Sequence, residues 1–143
     1  MTDDSFQAGF SLVELMVALA IAAIVAAFAV PAYRDHTLRS YLPEMSSGLQ
    51  LSALRLEQYY QVNRSYRNGT ACGITLPSSE RFLFSCSVPT DGQSFLLTAT
   101  GSGAMAAFAY TIDQQGQTRT ISLPVAWGAA PLDCWVMKRG ATC

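Results

Sequence analysis

The chain has 143 residues, a length that suits about one domain, and it carries a formal net charge of −1. Half of its residues are hydrophobic and only 13% are charged, which is low for a fully solvated surface. Without residues 1–9, which include Asp3 and Asp4, nine basic residues face eight acidic ones. This balance excludes a strongly basic domain that binds nucleic acid through net charge alone.

The first predicted element is an apolar segment at residues 10–33, in which Glu14 is the single charged residue. About 20 apolar residues in a helix cross a membrane, so the segment is long enough. The acidic start and the lack of an Ala-x-Ala site argue against a secretory signal peptide. A carboxylate inside a membrane helix costs a few kcal/mol and is by default a functional residue. The alternative is that Glu14 reaches the interface from the start of the helix.

The helical pattern continues beyond the apolar segment. One apolar face is marked by residues at mostly three-, four- and seven-residue steps: Leu38, Leu42, Met45, Leu49, Leu56 and Tyr60. We therefore predict one long helix from about residue 10 to about residue 62, in which Pro31 and Pro43 bend the axis or open local hydrogen bonds. Its second half is amphipathic and should pack on the chain's own domain.

A loop and a sheet follow the helix. Turn-forming residues predict a loop at 63–80, and four strand candidates follow at 81–88, 94–100, 106–113 and 117–123. Hairpin turns at residues 91–92 and 113–116 predict an antiparallel sheet with one face on the helix, and residues 124–143 form an irregular tail. The expected fold class is α+β, a long N-terminal helix packed on a four-stranded antiparallel sheet.

All four cysteines lie in the second half, which indicates disulfides formed in an oxidising compartment. No Cys-x-x-Cys pair or nearby histidine supports a metal site. Three pairings are open, and we favour Cys72–Cys86 with Cys134–Cys143 because this closes two short loops.

Enzymatic motifs are missing from the sequence. His36 is the single histidine, and the chain contains neither Gly-x-Ser-x-Gly nor a glycine-rich phosphate loop after a strand. We expect no catalytic residue, no metal and no cofactor.

Residues 9–14, Gly-Phe-Ser-Leu-Val-Glu, and the apolar run after them resemble the processing motif of type IV prepilins. The resemblance implies that prepilin peptidase cuts between Gly9 and Phe10 and that the new Phe10 amine is methylated. It also implies that Glu14 helps to set the register of a subunit during filament assembly, by neutralising a Phe10 amine. Three parts follow: a leader at 1–9, a membrane and filament-core helix at 10–33, and a periplasmic or extracellular domain at 34–143.

Weaker motifs at Leu56–Tyr60, Tyr110–Asp113 and Cys134–Trp135 resemble those of minor pilins of the PilE type. The resemblance implies a type IV pilin fold with a C-terminal loop closed by Cys134 and Cys143. It implies a minor pilus subunit, held in the inner membrane as a single-pass protein before it joins a cell-surface pilus. The expected partners are other pilin subunits, prepilin peptidase and the inner-membrane assembly machinery.

Three alternative functions stay open: a major pilin, a pseudopilin of type II secretion, and a DNA-binding pilin for natural transformation. The last alternative rests on basic residues that lie near aromatic ones, with Arg64 and Arg67 beside tyrosines and Lys138 and Arg139 beside Trp135. Arg81 belongs to the first group by sequence. Solvated surface charge is the simpler interpretation of all five residues.

Overall fold

The computed structural model describes residues 10–143. One helix, α1, occupies Leu12–Asn63, and six strands follow. They are β1 (Arg67–Asn68), β2 (Ala71–Cys72), β3 (Phe82–Ser87), β4 (Leu96–Gly101), β5 (Ala109–Asp113) and β6 (Thr118–Ser122). The chain divides into two compact units, of which the first ends at His36 and the second contains Thr37–Cys143.

The first unit is a helical segment with an apolar surface. Every side chain from residue 10 to residue 34 is exposed in the single chain, with Phe10 82% and Phe28 77% accessible. Helix α1 contains a window apolar and long enough to cross a membrane, and none of that window is buried against the rest of the chain. The sequence therefore leaves this surface for lipid or for other proteins to cover.

The second unit begins with the amphipathic part of α1. Its buried side chains recur at steps of three and four residues, which places them on one helix face: Leu42, Met45, Leu49, Ser52 and Leu56. The helix is continuous through Pro31 and Pro43 and ends at Asn63, one residue beyond the predicted end.

The predicted four-stranded sheet is confirmed. Strands β3, β4, β5 and β6 are neighbours in sequence order, and every pair is antiparallel. Phe84, Ala99 and Tyr110 stand opposite one another on the face that the core covers. A register shift at Ala109/Tyr110 adds one residue to β6. Each of these four strands lies within its predicted limits or within one residue of them.

The core lies between the sheet and the amphipathic half of α1. It unites the buried helix face with aromatic side chains of the sheet and the tail: Phe82, Phe84, Phe95, Phe108, Tyr110 and Trp127. The Tyr110 hydroxyl donates to the carbonyl of Val136 at 2.9 Å, which satisfies the buried phenol. Burial raises the pKa of Tyr110 above its ordinary value of 10.

The predicted loop at 63–80 is wrong in one part, because it contains the hairpin formed by β1 and β2. Asn68 pairs with Ala71 and Arg67 pairs with Cys72, so Gly69 and Thr70 form the turn. Gly69 has φ +62°, a conformation that glycine adopts at little cost. Strands of two residues are too short to show a periodic pattern, which is why sequence alone predicted a loop.

The tail, predicted as irregular, is fixed on β6. Thr120 and Leu132 exchange two backbone hydrogen bonds at 2.9 and 3.0 Å, and a short 3₁₀ turn covers Val125–Trp127. Disulfides join Cys72 to Cys86 and Cys134 to Cys143. The first ties the β1–β2 hairpin to β3, and the second closes the end of the tail.

Candidate functional site

Glu14 lies in the first turn of α1, where a negative charge interacts favourably with the helix dipole. Phe10 is four residues earlier and precedes the helix, and both side chains are exposed. Gly9, the other residue of the expected cleavage site, lies outside the described residues. The structure thus places Glu14 in an apolar helical surface, close in sequence to the amine that cleavage would create.

Arg64 follows α1 with φ +54°, and it is the one non-glycine residue with positive φ in the part of the chain that is described. Its backbone amide donates to the carbonyl of Tyr60, and its carbonyl accepts from Nε2 of Gln93 at 3.3 Å. The Tyr60 hydroxyl donates to Oε1 of the same Gln93 at 2.7 Å. The Gln93 side chain therefore fixes the end of the helix, while the Arg64 side chain remains exposed.

Arg67 is held by backbone carbonyls on two different turns. Its Nε donates to the Gly69 carbonyl and its Nη1 donates to the Pro89 carbonyl, each at 3.1 Å. These bonds join the β1–β2 hairpin to the turn between β3 and β4. The guanidinium keeps further N–H donors beyond the two used here, and its fixed orientation lowers the entropy lost on anion binding.

Three tyrosines support this end of the molecule. Tyr66 stacks on Tyr60 with ring centroids 4.6 Å apart, and its hydroxyl donates to Oε1 of Glu57 at 2.8 Å. Burial, followed by the hydrogen bond to the Glu57 carboxylate, raises the pKa of Tyr66 to about 12. The Tyr59 hydroxyl donates to the carbonyl of Arg67 at 3.3 Å. The rings of Tyr60 and Tyr66 are stacked, and all three hydroxyls donate hydrogen bonds within the protein. These tyrosines therefore stabilise the segment that carries the arginines.

Lys138 and Arg139 are exposed in the closed tail. Nε of Arg139 donates to the carbonyl of Ala126 at 2.8 Å, so this guanidinium is also anchored by a backbone oxygen. Gly140 donates to the carbonyl of Trp127 at 3.2 Å, which fixes the tail on the segment after β6.

The sheet topology separates the basic residues into two groups. Arg64 and Arg67 lie at the end that carries the β3–β4 turn, and we call them the hairpin group. Arg139 contacts the segment after β6, at the opposite end of an antiparallel meander, and we call it, together with its neighbour Lys138, the tail group. Strands of five or six residues put the groups roughly 17–20 Å apart along the strands.

The prediction that Arg81 lies with Arg64 and Arg67 is wrong. Arg81 precedes β3 and therefore lies at the other end of the sheet. Its Nη1 is 3.3 Å from Oε2 of Glu44, and its guanidinium lies 4.2 Å from the centre of the Tyr41 ring. Arg81 fastens the start of β3 to α1. The sequence could not indicate these contacts, because Glu44 and Tyr41 are 37 and 40 residues from Arg81.

His36 is exposed on α1, in the last position of the first unit. Among residues 10–143, no group of three or more His, Cys, Asp or Glu side chains is placed to hold a metal ion.

Two protein families match adjacent parts of the sequence. The family described as "Prokaryotic N-terminal methylation motif" matches residues 4–30. The family described as "Type IV minor pilin ComP, DNA uptake sequence receptor" matches residues 31–111, which is more than half of the chain. The chain belongs to the type IV minor pilin family. Proteins of this family are structural subunits, and such a pilin is anchored in a membrane before its assembly into a surface pilus.

Individual pilins of other bacteria are similar to part of the chain. A type IV major pilin protein PilE1 of Neisseria gonorrhoeae is 39% identical over 80 residues, which cover 54% of this chain and 47% of that protein. Fimbrial protein EcpC of Eikenella corrodens is 35% identical over 97 residues, 66% of this chain and 62% of the relative. The pilin aligns with about half of the length of the first of these relatives, so the properties of whole relatives do not transfer directly.

A solved structure, described as a high-resolution structure of a type IV pilin from Shewanella oneidensis, is 21% identical in sequence, with a TM-score of 0.47. It covers 59% of this chain and 89% of its own.

Proposed function

We propose that this minor pilin is a structural subunit, needed for assembly or display of a type IV pilus, that enters the filament through its apolar N-terminal helix. The observation that carries the proposal is the exposed, mostly apolar surface of residues 10–33. A surface of this size is not stable in water, and packing against other pilin helices would bury it. The role is structural and not enzymatic.

Processing comes before assembly in this proposal. Prepilin peptidase removes residues 1–9 by cutting between Gly9 and Phe10, and the Phe10 amine is then methylated. Residues 10–33 lie first in the inner membrane and later in the filament core, while residues 34–143 face the periplasm and then the exterior. The inner-membrane assembly machinery transfers the subunit from one place to the other.

Glu14 would select the position of the incoming subunit. In a medium of low dielectric constant an unpaired carboxylate is costly, and an amine nearby offsets much of that cost. Phe10 is four residues earlier, so the pair can form within one chain, or between Glu14 of one subunit and Phe10 of its neighbour. The second arrangement favours one register between subunits.

The test compares Glu14→Ala with Glu80→Ala, a control in which an exposed carboxylate of the second unit is removed. We expect both variants to insert into the membrane and to be cleaved, and only Glu14→Ala to be missing from sheared filaments. Incorporation of Glu14→Ala at the wild-type level would contradict the role of Glu14. Failure of membrane insertion in Glu14→Ala, with normal insertion of Glu80→Ala, would contradict the proposal that the helix inserts independently of the carboxylate.

We propose DNA binding as a second function. The matching family is described as a DNA uptake sequence receptor, and the hairpin group adds a physical reason. Arg67 is anchored by two carbonyls, and the backbone of exposed Arg64 is bonded to Gln93, which lies between β3 and β4. The fixed Arg67 guanidinium can contact a phosphate with little loss of side-chain freedom, and the exposed Arg64 side chain offers a second cation nearby in sequence.

The tail group offers a second contact. A separation of roughly 17–20 Å along the sheet corresponds to about five or six base pairs of duplex. Because cations and anions nearly balance in this chain, only a few phosphates would be contacted. The affinity for DNA should therefore be low. The slope of log K against log[salt] should also be small, because it scales with the number of phosphates contacted.

Fluorescence anisotropy with a short duplex, repeated at several salt concentrations, tests this function. Arg64→Gln and Arg139→Gln should each weaken binding and reduce the salt slope by about 1, the value for one lost phosphate contact. Arg55→Gln is the control, since Arg55 is an exposed arginine on α1 outside both groups. Equal binding by all three variants and the wild type would contradict the assignment.

A further inference from the structure

Asn68 and Gly69 form the tip of the β1–β2 hairpin, beside the hairpin group. We propose that Asn68 is a site of spontaneous deamidation, which places a new carboxylate next to Arg67. Asn68 is exposed, and the turn begins with Gly69 at φ +62°. Nothing lies within 4 Å of the position that a Cβ on Gly69 would occupy. The effect of the new charge on DNA rests on the DNA-binding function proposed above, whereas the chemical step does not.

The reaction needs only water. The backbone nitrogen of Gly69 loses its proton to water or hydroxide and attacks Cγ of Asn68, forming a five-membered succinimide. The Cγ–Nδ2 bond breaks, and the nitrogen takes up a proton and leaves as ammonia. Water then opens the ring at one of its two carbonyls and gives either aspartate or isoaspartate. No electron is gained or lost, and the net change is one amide and one water replaced by one carboxylic acid and one ammonia.

Three features of the structure favour this step at Asn68. Because Gly69 has no side chain, its backbone nitrogen can attack without steric hindrance. Nε of Arg67 is 3.1 Å from the Gly69 carbonyl, one peptide unit from the attacking nitrogen, so a positive charge lies near the amide that must lose its proton. The hairpin has only two residues in each strand, so its tip can open locally and let Cγ approach the nitrogen.

Asn63 provides a comparison within the same chain, since the sequence has only these two asparagines. It is the last residue of α1, and its Nδ2 donates to the carbonyl of Tyr59 at 3.0 Å. Arg64, and not glycine, follows it, so a side chain shields the nitrogen that would attack. Asn63 should therefore remain an amide under conditions that convert Asn68.

The product changes the charge of the hairpin group. A carboxyl group of ordinary pKa, about 4, is ionised at neutral pH and lies one residue from Arg67. The formal charge of Arg64 and Arg67 together with residue 68 then falls by one. Phosphate binding at this end of the sheet would weaken as the protein ages, while the tail group at the opposite end would keep its charge.

Mass spectrometry of the full chain, incubated in detergent at mildly alkaline pH, tests the modification. After reduction of the disulfides, trypsin releases residues 56–64 and residues 68–81 as separate peptides. A sample that is digested without prior incubation corrects for changes during digestion. We expect a mass increase of about 1 Da, with isoaspartate, to accumulate in the second peptide only. Loss of the amide at equal rates in both peptides, or in neither, would overturn the proposal.

The charge effect is measured by duplex binding of Asn68→Asp, with Asn68→Ser as the neutral control. We expect several-fold weaker binding by Asn68→Asp and wild-type binding by Asn68→Ser. Equal binding by both variants would overturn the predicted effect on DNA. If the unmodified chain binds no duplex, the DNA function itself fails, and the mass-spectrometric result still decides whether Asn68 is modified.

Discussion

Gly48 of α1 lies directly against the Phe84 ring of β3, so that a Cβ at position 48 would collide with the ring. The missing side chain lets the amphipathic half of α1 approach the sheet closely. An open cleft of about 210 Å³ adjoins this contact and is lined by both residues and by Leu51 and Pro77. Gly48 therefore sets the spacing between helix and sheet, and this gives the first prediction.

Gly48→Ala should lower the free energy of unfolding by about 1 kcal/mol. Alanine gains about 1 kcal/mol in helix propensity over glycine, and overpacking costs about 1–3 kcal/mol. Movement of the Phe84 ring into the adjoining cleft keeps the net loss small. Thermal unfolding of the full chain in detergent measures the effect, with exposed Gln50→Ala as control. A higher melting temperature for Gly48→Ala would show that the contact is loose.

Arg64→Gly should stabilise the pilin, because glycine adopts positive φ without steric cost. Arg64→Ala retains a Cβ in the left-handed conformation and should not gain this stability. The expected difference between the two variants is about 1 kcal/mol. Both variants lose the guanidinium, so both should bind DNA less well under the proposed function. Chemical denaturation of the two variants measures the difference, and equal stabilities would contradict the assigned backbone strain.

Thr120→Val should destabilise the attachment of the tail by about 2–3 kcal/mol. The buried Thr120 hydroxyl donates to the carbonyl of Cys134 at 2.6 Å and accepts from the amide of Val136 at 3.0 Å. Valine has nearly the same shape but leaves both backbone groups without this partner. Denaturant unfolding measures the change, and exposed Thr100→Val on β4 is the control. A loss no larger than that of the control would mean that water replaces the hydroxyl.

The stability of the fold should decrease as the pH rises above 10. The pKa of Tyr66 is raised from 10 to about 12, so its stabilising effect is complete below pH 10 and is lost as pH rises through 12. Tyr66→Phe removes this ionisation and should show a smaller loss of stability between about pH 10 and about pH 12. Ultraviolet titration provides a direct check, because the wild type should have one more late-ionising phenol than Tyr66→Phe.

Identical pH profiles for the two proteins would mean that Tyr66 ionises near its ordinary pKa in the folded state. The Glu57 carboxylate would then have a different partner in solution.

Local patterns in the sequence predicted the regular elements of the fold. The three- and four-residue steps from Leu42 to Leu56 are enough to define a helix face, and alternation in β3 and β4 defines the covered side of the sheet. These signals depend on residues close in sequence. The short strands β1 and β2 carry no such signal, and only their pairing distinguishes them from a loop.

The arrangement of the basic residues required the structure. Sequence order suggested that Arg81 accompanies Arg64 and Arg67, but the direction of β3 puts Arg81 at the opposite end of the sheet. The anchors of Arg67 and Arg139 are backbone carbonyls of Pro89 and Ala126, respectively. A carbonyl is present at every residue, so no residue type in the sequence could indicate these contacts.

The central claim is that this pilin is a processed, minor component of a pilus. Quantitative mass spectrometry of sheared surface filaments tests it most directly, by measuring the amount of this chain and the mass of its N-terminal peptide. We predict a methylated Phe10 terminus at a trace level relative to the dominant pilin. Absence of this chain from the filaments, with cleaved protein left in the membrane, would contradict a role in the pilus and favour a secretion pseudopilin. If this chain were the most abundant subunit of the filament, it would be the major pilin.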